Sequence, residues 1–206
     1  MKYALATLFT IFLLAGTASG DIMPIGEAST AGFFQGNGTG ETPRGWDFKV
    51  NSAGVMVTQL GVNAATSTSI TLTLWNDSTQ TELAQVVETS IADTWAFTAL
   101  ATPVALTLGN TYSVIGWANV TTTWYLLNST PPPAFEPTGT IQYQDARFDN
   151  GIGANTFPGQ TTPGQFGVTD IAYRLGPSSV PEPSAIVLLF TVGILILAAH
   201  RHRLHV

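Results

Sequence analysis

Turn-forming residues recur too closely along the middle of this 206-residue chain to leave room for helices between strands. Breaks fall at Asn51-Ser52-Ala53-Gly54, Asn76-Asp77-Ser78, Ile91-Ala92-Asp93 and Gly109-Asn110. A crossover between parallel strands needs roughly a dozen residues or more, so the strands here are expected to pair antiparallel. The runs between the breaks carry the matching signature. Ile70-Thr71-Leu72-Thr73-Leu74 and Val104-Ala105-Leu106-Thr107-Leu108 alternate with period two, each with one apolar face and one hydroxyl or small face. Residues 45–50, 55–62, 82–89, 94–100 and 112–118 are the other expected strands in this stretch. The pattern predicts an all-β fold, an antiparallel β-sandwich of jelly-roll or Ig-like type.

Beyond residue 118 the pattern loosens. Residues 121–127 and 140–148 can be strands, Pro131-Pro132-Pro133 must be loop, 150–165 is rich in Gly, Pro and Thr, and 166–175 reads as a closing strand. Residues 31–43, with Gly36-Asn37-Gly38-Thr39-Gly40, read as a loop. Those glycines do not make a phosphate loop, because neither a strand before them nor a helix with Lys-Ser/Thr after them is expected.

Two residue types are missing where chemistry would need them. The chain has no cysteine, and its three histidines, His200, His202 and His205, all lie at the extreme C-terminus. The middle of the chain therefore has no Cys–His or Ser–His–Asp apparatus, no Cys/His zinc site and no disulfide. It is also acidic. From residue 21 to 180 the cations are Arg44, Lys49, Arg147 and Arg174, against twelve carboxylates, a balance of −8 (4 − 12). Such a surface repels phosphate backbones, so no nucleic-acid partner is expected.

Both ends read as addresses. Lys2 precedes an apolar run over residues 4–15, and Gly16-Thr17-Ala18 and Ala18-Ser19-Gly20 follow with the small-x-small pattern that signal peptidase reads. Residues 1–20 are thus expected to be a cleaved signal peptide. At the other end Gly176-Pro177-Ser178-Ser179 and Val180-Pro181-Glu182-Pro183-Ser184 form a linker over 176–184, before an uninterrupted apolar stretch from Ala185 to Ala199. A helix over 185–200 would cover about 22–25 Å, a short but insertable span of the ~30 Å hydrocarbon layer. Arg201 and Arg203, in the tail 201–206, then act as the membrane stop. Positive residues stay cytoplasmic, which places the middle outside the cytoplasm, in agreement with the N-terminal signal.

Val180, Pro181, Glu182 and Pro183, then a short apolar helix, then Arg201 and Arg203, resemble the C-terminal sorting signal of bacterial PEP-CTERM proteins. The resemblance implies recognition by an exosortase, a membrane-embedded protease, and release to the cell surface or an exopolysaccharide matrix. Physically, two prolines keep the segment extended and without backbone donors, as suits a protease substrate. A second resemblance covers Gly45-Trp46-Asp47-Phe48, Val57-Thr58-Gln59-Leu60-Gly61-Val62, Leu74-Trp75-Asn76 and the string from Thr102 to Tyr112. These are similar to an uncharacterised β-sandwich domain common in PEP-CTERM proteins, which implies a fold and a setting but no reaction.

Within the domain expected over 45–175, preceded by a loop or first-strand region over 21–44, few side chains could carry a site. Glu136, Asp145 and Asp149, near Arg147, could supply a glycosidase carboxylate pair. Asp145, Asp149 and Asn150 offer hard oxygen ligands for calcium, though without EF-hand spacing. Trp46, Trp75, Trp95, Trp117, Trp124 and Tyr125 could stack on sugar rings, but sandwich strands should place most of them in the core. Adjacent residues of a strand face opposite ways, so one of Trp124 and Tyr125 is the best exposed glycan contact. The expectation is a non-catalytic exported surface or matrix protein without cofactor. Its partners would be signal peptidase, an exosortase-type protease, the membrane and exopolysaccharide. A carbohydrate-binding module is the alternative, and a glycoside hydrolase comes third.

Overall fold

The computed structural model describes residues 20–25, 34–38, 43–118, 122–126, 135–136, 138–163 and 169–176. The expected signal peptide, sorting motif, apolar span and basic tail lie outside these residues, apart from Gly20 and Gly176 at their margins. Among the described residues no helix is long and apolar enough to cross a membrane.

The described chain is all-β. In order it forms β1 (Phe34–Gly38), β2 (Arg44–Val50), β3 (Val55–Val62), β4 (Ser69–Asn76), β5 (Thr81–Thr89), β6 (Ala96–Ala105), β7 (Thr111–Trp117), β8 (Thr122–Leu126), β9 (Ile141–Phe148), β10 (Gln160–Thr162) and β11 (Thr169–Leu175). Every strand pair is antiparallel. A six-stranded sheet has the order β10-β9-β2-β7-β4-β5, a three-stranded sheet β11-β3-β6, and β1 pairs with β8 in a separate ribbon. The short turns after β2, β3, β5 and β6 each carry the chain from one of the two larger sheets to the other, an arrangement consistent with a β-sandwich.

Alternation builds the core between them. Trp46, Phe48 and Val50 of β2, Ile70, Leu72 and Leu74 of β4, and Tyr112 and Val114 of β7 are buried together with Val55, Val57, Leu60 and Val62 of β3 and with Ile171 and Tyr173 of β11. Trp46 is fully buried, and its ring meets Phe48, Phe135 and Tyr143. Its indole Nε1 donates to the Thr169 carbonyl at 2.7 Å, a polar stitch from one sheet to the other. Gly45 is required here, because a Cβ at that position would stand 1.9 Å from the Val114 carbonyl oxygen.

Bulges reset the alternation where it would otherwise fail. In β3 the buried positions switch from odd to even between Val57 and Leu60, and the register with both neighbours shifts there. Asp21 closes this irregularity by accepting from Thr58 Oγ1 at 2.7 Å and Gln59 Nε2 at 3.1 Å. Residues 21–25 then run beside β11. Ile22 exchanges two backbone hydrogen bonds with Tyr173, and Asp170 Oδ2 accepts from the Ile25 amide. The edge of β11 is thereby covered.

Three local expectations change. The two strands expected at 94–100 and 104–108 are one strand, β6, whose register with β3 slips between Ala99 and Val104. Pro103 sits in that slip on an edge strand, where a missing amide breaks no ladder. Part of the loop expected at 31–43 is β1, and the irregular stretch 150–165 contains β10.

Candidate functional site

The outer face of the six-stranded sheet, away from the core, holds a cluster of charged and polar side chains. On β2, Asp47 lies between core residues Trp46 and Phe48 and so points outward, as Ser113 does between Tyr112 and Val114 on β7. On β9 the alternation alone would turn Arg147 inward with Ile141 and Tyr143. A bulge places both Gln144 and Asp145 opposite the single Asp47, and Arg147 emerges on the outer face instead. Asp77, in the turn after β4, completes the group.

The geometry is tight. Arg147 Nε is 2.7 Å from Asp47 Oδ1 and Nη2 is 2.8 Å from Asp47 Oδ2, a bidentate pair, while Nη2 also reaches Asp77 Oδ2 at 3.2 Å. Ser113 Oγ lies 2.8 Å from Asp47 Oδ1 and also contacts Asp77 Oδ1. A hydroxyl carries one proton and serves one acceptor at a time, so the second oxygen–oxygen contact needs a proton on a carboxyl. Below about pH 6 Asp77 is the group that holds it. Burial, then the neighbouring Asp47 charge, pushes its carboxyl up to about 6. Asp47 is also raised by burial, but the hydrogen bonds and charge of Arg147 work against the rise and favour its ionised form. Burial disfavours charge on Arg147, and Asp47 more than offsets this, holding the guanidinium above its ordinary value.

Residues 149–159 fold over this face as a strap. Trp117 Nε1 donates to the Ile152 carbonyl at 2.9 Å, Gln85 Nε2 to Asn155 Oδ1 at 2.9 Å, and Arg147 Nη1 to the Pro158 carbonyl at 2.9 Å. Phe157 lies edge-on to Trp75, and the Arg147 guanidinium stacks 4.4 Å from the Phe157 ring centre. Asp47 is consequently only 4% exposed. The arrangement can hold a proton and clamp the strap.

The residues singled out from sequence are dispersed. Glu136 is buried, and its carboxylate accepts from the amides of Thr138, Thr140 and Ile141 and from the Thr138 hydroxyl, so it holds its own turn. Asp149 accepts from the amides of Asn150 and Gly159 and from Gln160 Nε2; the two amides hold its carboxyl below the usual range. Asn150 Oδ1 faces Arg44 Nη2 at 3.4 Å. The oxygens of Asp149 and Asn150 thus face N–H donors, and among the described residues no group of three or more His, Cys, Asp or Glu side chains is placed to hold a metal ion. Asp145 lies on β9 beside the Asp47–Arg147 pair. Trp46 and Trp75 are buried, and Trp95 packs partly buried against the core. Trp124 and Tyr125 occupy β8 opposite Gly36 and Gln35 of β1. Sequence reasoning named Arg147 but missed Asp47, Ser113 and Asp77. The available signal was a polar residue at the outward position of an otherwise apolar strand, as in Trp46-Asp47-Phe48 and Tyr112-Ser113-Val114.

The chain matches no protein-family model, and no curated protein matches it.

Proposed function

We propose that this chain is a non-catalytic exported protein of the bacterial surface or extracellular matrix, held at the membrane by its C-terminal signal and processed there by an exosortase-type protease. The observation that carries the reading is the ordered series Val180, Pro181, Glu182 and Pro183, the apolar stretch 185–199, then Arg201 and Arg203. On this reading the β domain is a jelly-roll or Ig-like sandwich between a signal-peptide helix and a single transmembrane helix. Two features of the fold support it. Asp21, just after the expected cleavage point, accepts from Thr58 and Gln59, and Gly176, at the start of the expected linker, donates to the Gly54 carbonyl, so both margins of the expected domain are tied to it. The buried and loop carboxylates that could have done acid–base work instead bind the chain's own amides and Arg147.

The test is the intact mass of the protein recovered from membrane and medium fractions of its native host. Loss of about 20 N-terminal residues and of the segment after Pro183, with product outside the cell, is the expected result. Recovery only as a membrane species retaining residues 185–206 refutes processing and leaves a plain single-span anchor.

One observation favours a second reading, a carbohydrate-binding module. The β1–β8 ribbon stands apart from the larger sheets in its pairing and sets Trp124 opposite a glycine, Gly36. Exopolysaccharide pull-down lost on Trp124→Ala would select this reading; unchanged or absent binding would discard it.

A further inference from the structure

The turns at one end of the β domain are tied together by backbone hydrogen bonds. Gly109 donates to Val50, Val50 to Asn110, Asn51 to Thr140, Leu106 to Val55, and Gly176 to Gly54. The turns 51–54, 106–110 and 138–140 therefore form one pole with the end of β11, and from this pole the chain passes into residues 177–206. Two features coincide there. Leu108 and Leu175 are 55% and 46% exposed, each at a turn or strand end where nothing in the core requires a leucine. Lys49 and Arg174, at the ends of β2 and β11, are exposed, and among the described residues neither forms an ion pair.

The charge distribution sharpens the contrast. The domain is strongly acidic, yet Lys49 of the six-stranded sheet and Arg174 of the three-stranded sheet both stand at the chain's exit. Of the other two, Arg147 pairs with Asp47 and Asp77, and Arg44 donates to the Asp149 backbone carbonyl and to Asn150 Oδ1. Asp93 and Asp149 lie toward the opposite end, beside Ala64 and Pro43. Asp21, half-buried, adjoins the Ile22–Tyr173 bridge on the side of Arg174, but its carboxylate accepts from Thr58 and Gln59; Glu82, exposed, belongs to β5, the strand at the far margin of the six-stranded sheet. Ile91, also exposed, stands near Asp93 at the other end.

We propose that this pole is a docking surface for an anionic lipid bilayer, with Leu108 and Leu175 against the interface and Lys49 and Arg174 on lipid phosphates. The proposal rests on the membrane-held reading above. Residues 177–184 separate Gly176 from the apolar stretch, and eight residues span at most about 26–29 Å. So short a tether keeps the pole at a high effective concentration beside the membrane, so contacts too weak to recruit a free protein suffice to orient a tethered one. Two cations near an anionic surface favour the docked orientation by roughly tenfold or more.

The chain has no cysteine, so a single introduced thiol can report position. Thr107→Cys marks the exit pole and Ala92→Cys the opposite one; both positions are exposed. The full chain, labelled with an environment-sensitive fluorophore, is reconstituted into vesicles of phosphatidylcholine alone or with a third phosphatidylglycerol, each containing a lipid-borne quencher. Flotation with the vesicles reports anchoring independently. The expected result is flotation in both lipids. Quenching at Thr107→Cys should exceed that at Ala92→Cys several-fold in anionic vesicles only, and Lys49→Gln with Arg174→Gln should abolish the excess. Flotation with equal quenching at the two poles, or with an excess indifferent to lipid charge or to the two glutamines, overturns the docking surface and leaves the anchor intact. A chain that does not float overturns both.

Discussion

Raising the pH from 4.5 to 7.5 should destabilise the β domain through Asp77, against the usual behaviour of acidic residues. A carboxyl whose folded pKa is raised stabilises the fold when protonated. Its contribution is complete below the unfolded value near 3.8, is lost as pH rises through about 6, and does not change further above that. The shift is about two pKa units, and at 1.36 kcal/mol per unit it amounts to about 3 kcal/mol if felt in full. Asp77 lies at the rim of its cluster with its side chain 13% exposed, so water screens part of the effect, and about 1–2 kcal/mol is the reasonable expectation. Asp77→Asn isolates the contribution, because the amide keeps the neutral shape and still donates toward Ser113. The assay is urea unfolding of the full chain in non-ionic detergent, followed by tryptophan fluorescence at four pH values between 4.5 and 7.5. The wild type should lose about 1–2 kcal/mol relative to Asp77→Asn across that window. Parallel profiles, or a wild type that gains on the variant as pH rises, would show that the cluster does not hold its proton on Asp77.

Trp46→Phe should cost about 3 kcal/mol in the same unfolding assay, since it removes the donor to the Thr169 carbonyl and leaves a gap in the core; a loss under 0.5 kcal/mol would mean the stitch is idle. Gly45→Ala should cost more than about 3 kcal/mol, or prevent folding as judged by circular dichroism, because its Cβ meets the Val114 backbone rather than a movable side chain. Glu136→Ala should lower stability by about 2–3 kcal/mol by stranding the amides of Thr138, Thr140 and Ile141, and an unchanged unfolding curve would reopen a chemical role for this carboxylate.

Strand-level structure was legible wherever alternation was strict and turns were marked. Ile70 to Leu74 and Tyr112 to Ala118 read correctly because one face of each is wholly committed to the core. What sequence could not show is where alternation is deliberately broken. The bulge at Gln144 and Asp145 decides that Arg147 faces Asp47, yet a one-residue insertion into a pleat leaves no mark in a list of residue types. Pro103 misled in the other direction: proline suggests a break, but on an edge strand it interrupts nothing. The Asp47–Ser113–Asp77–Arg147 cluster joins β2, β7, the β4–β5 turn and β9, so no local window contains more than one of its members. Its parts are ordinary polar residues until the register brings them together.

The seam between residues 21–25 and β11 also governs the order in which this domain can become complete. Tyr173 must be present before Ile22 has a partner, Thr169 before the Trp46 indole has an acceptor, and Asp170 before the Ile25 amide does. A chain delivered N-terminus first therefore stays open along the side of β3 until its last strand arrives. Any copy stopped short of residue 169 leaves that side bare to proteases, whereas a copy that includes β11 closes it with β11 and residues 21–25. The fold thus distinguishes whole chains from fragments without any separate inspecting partner.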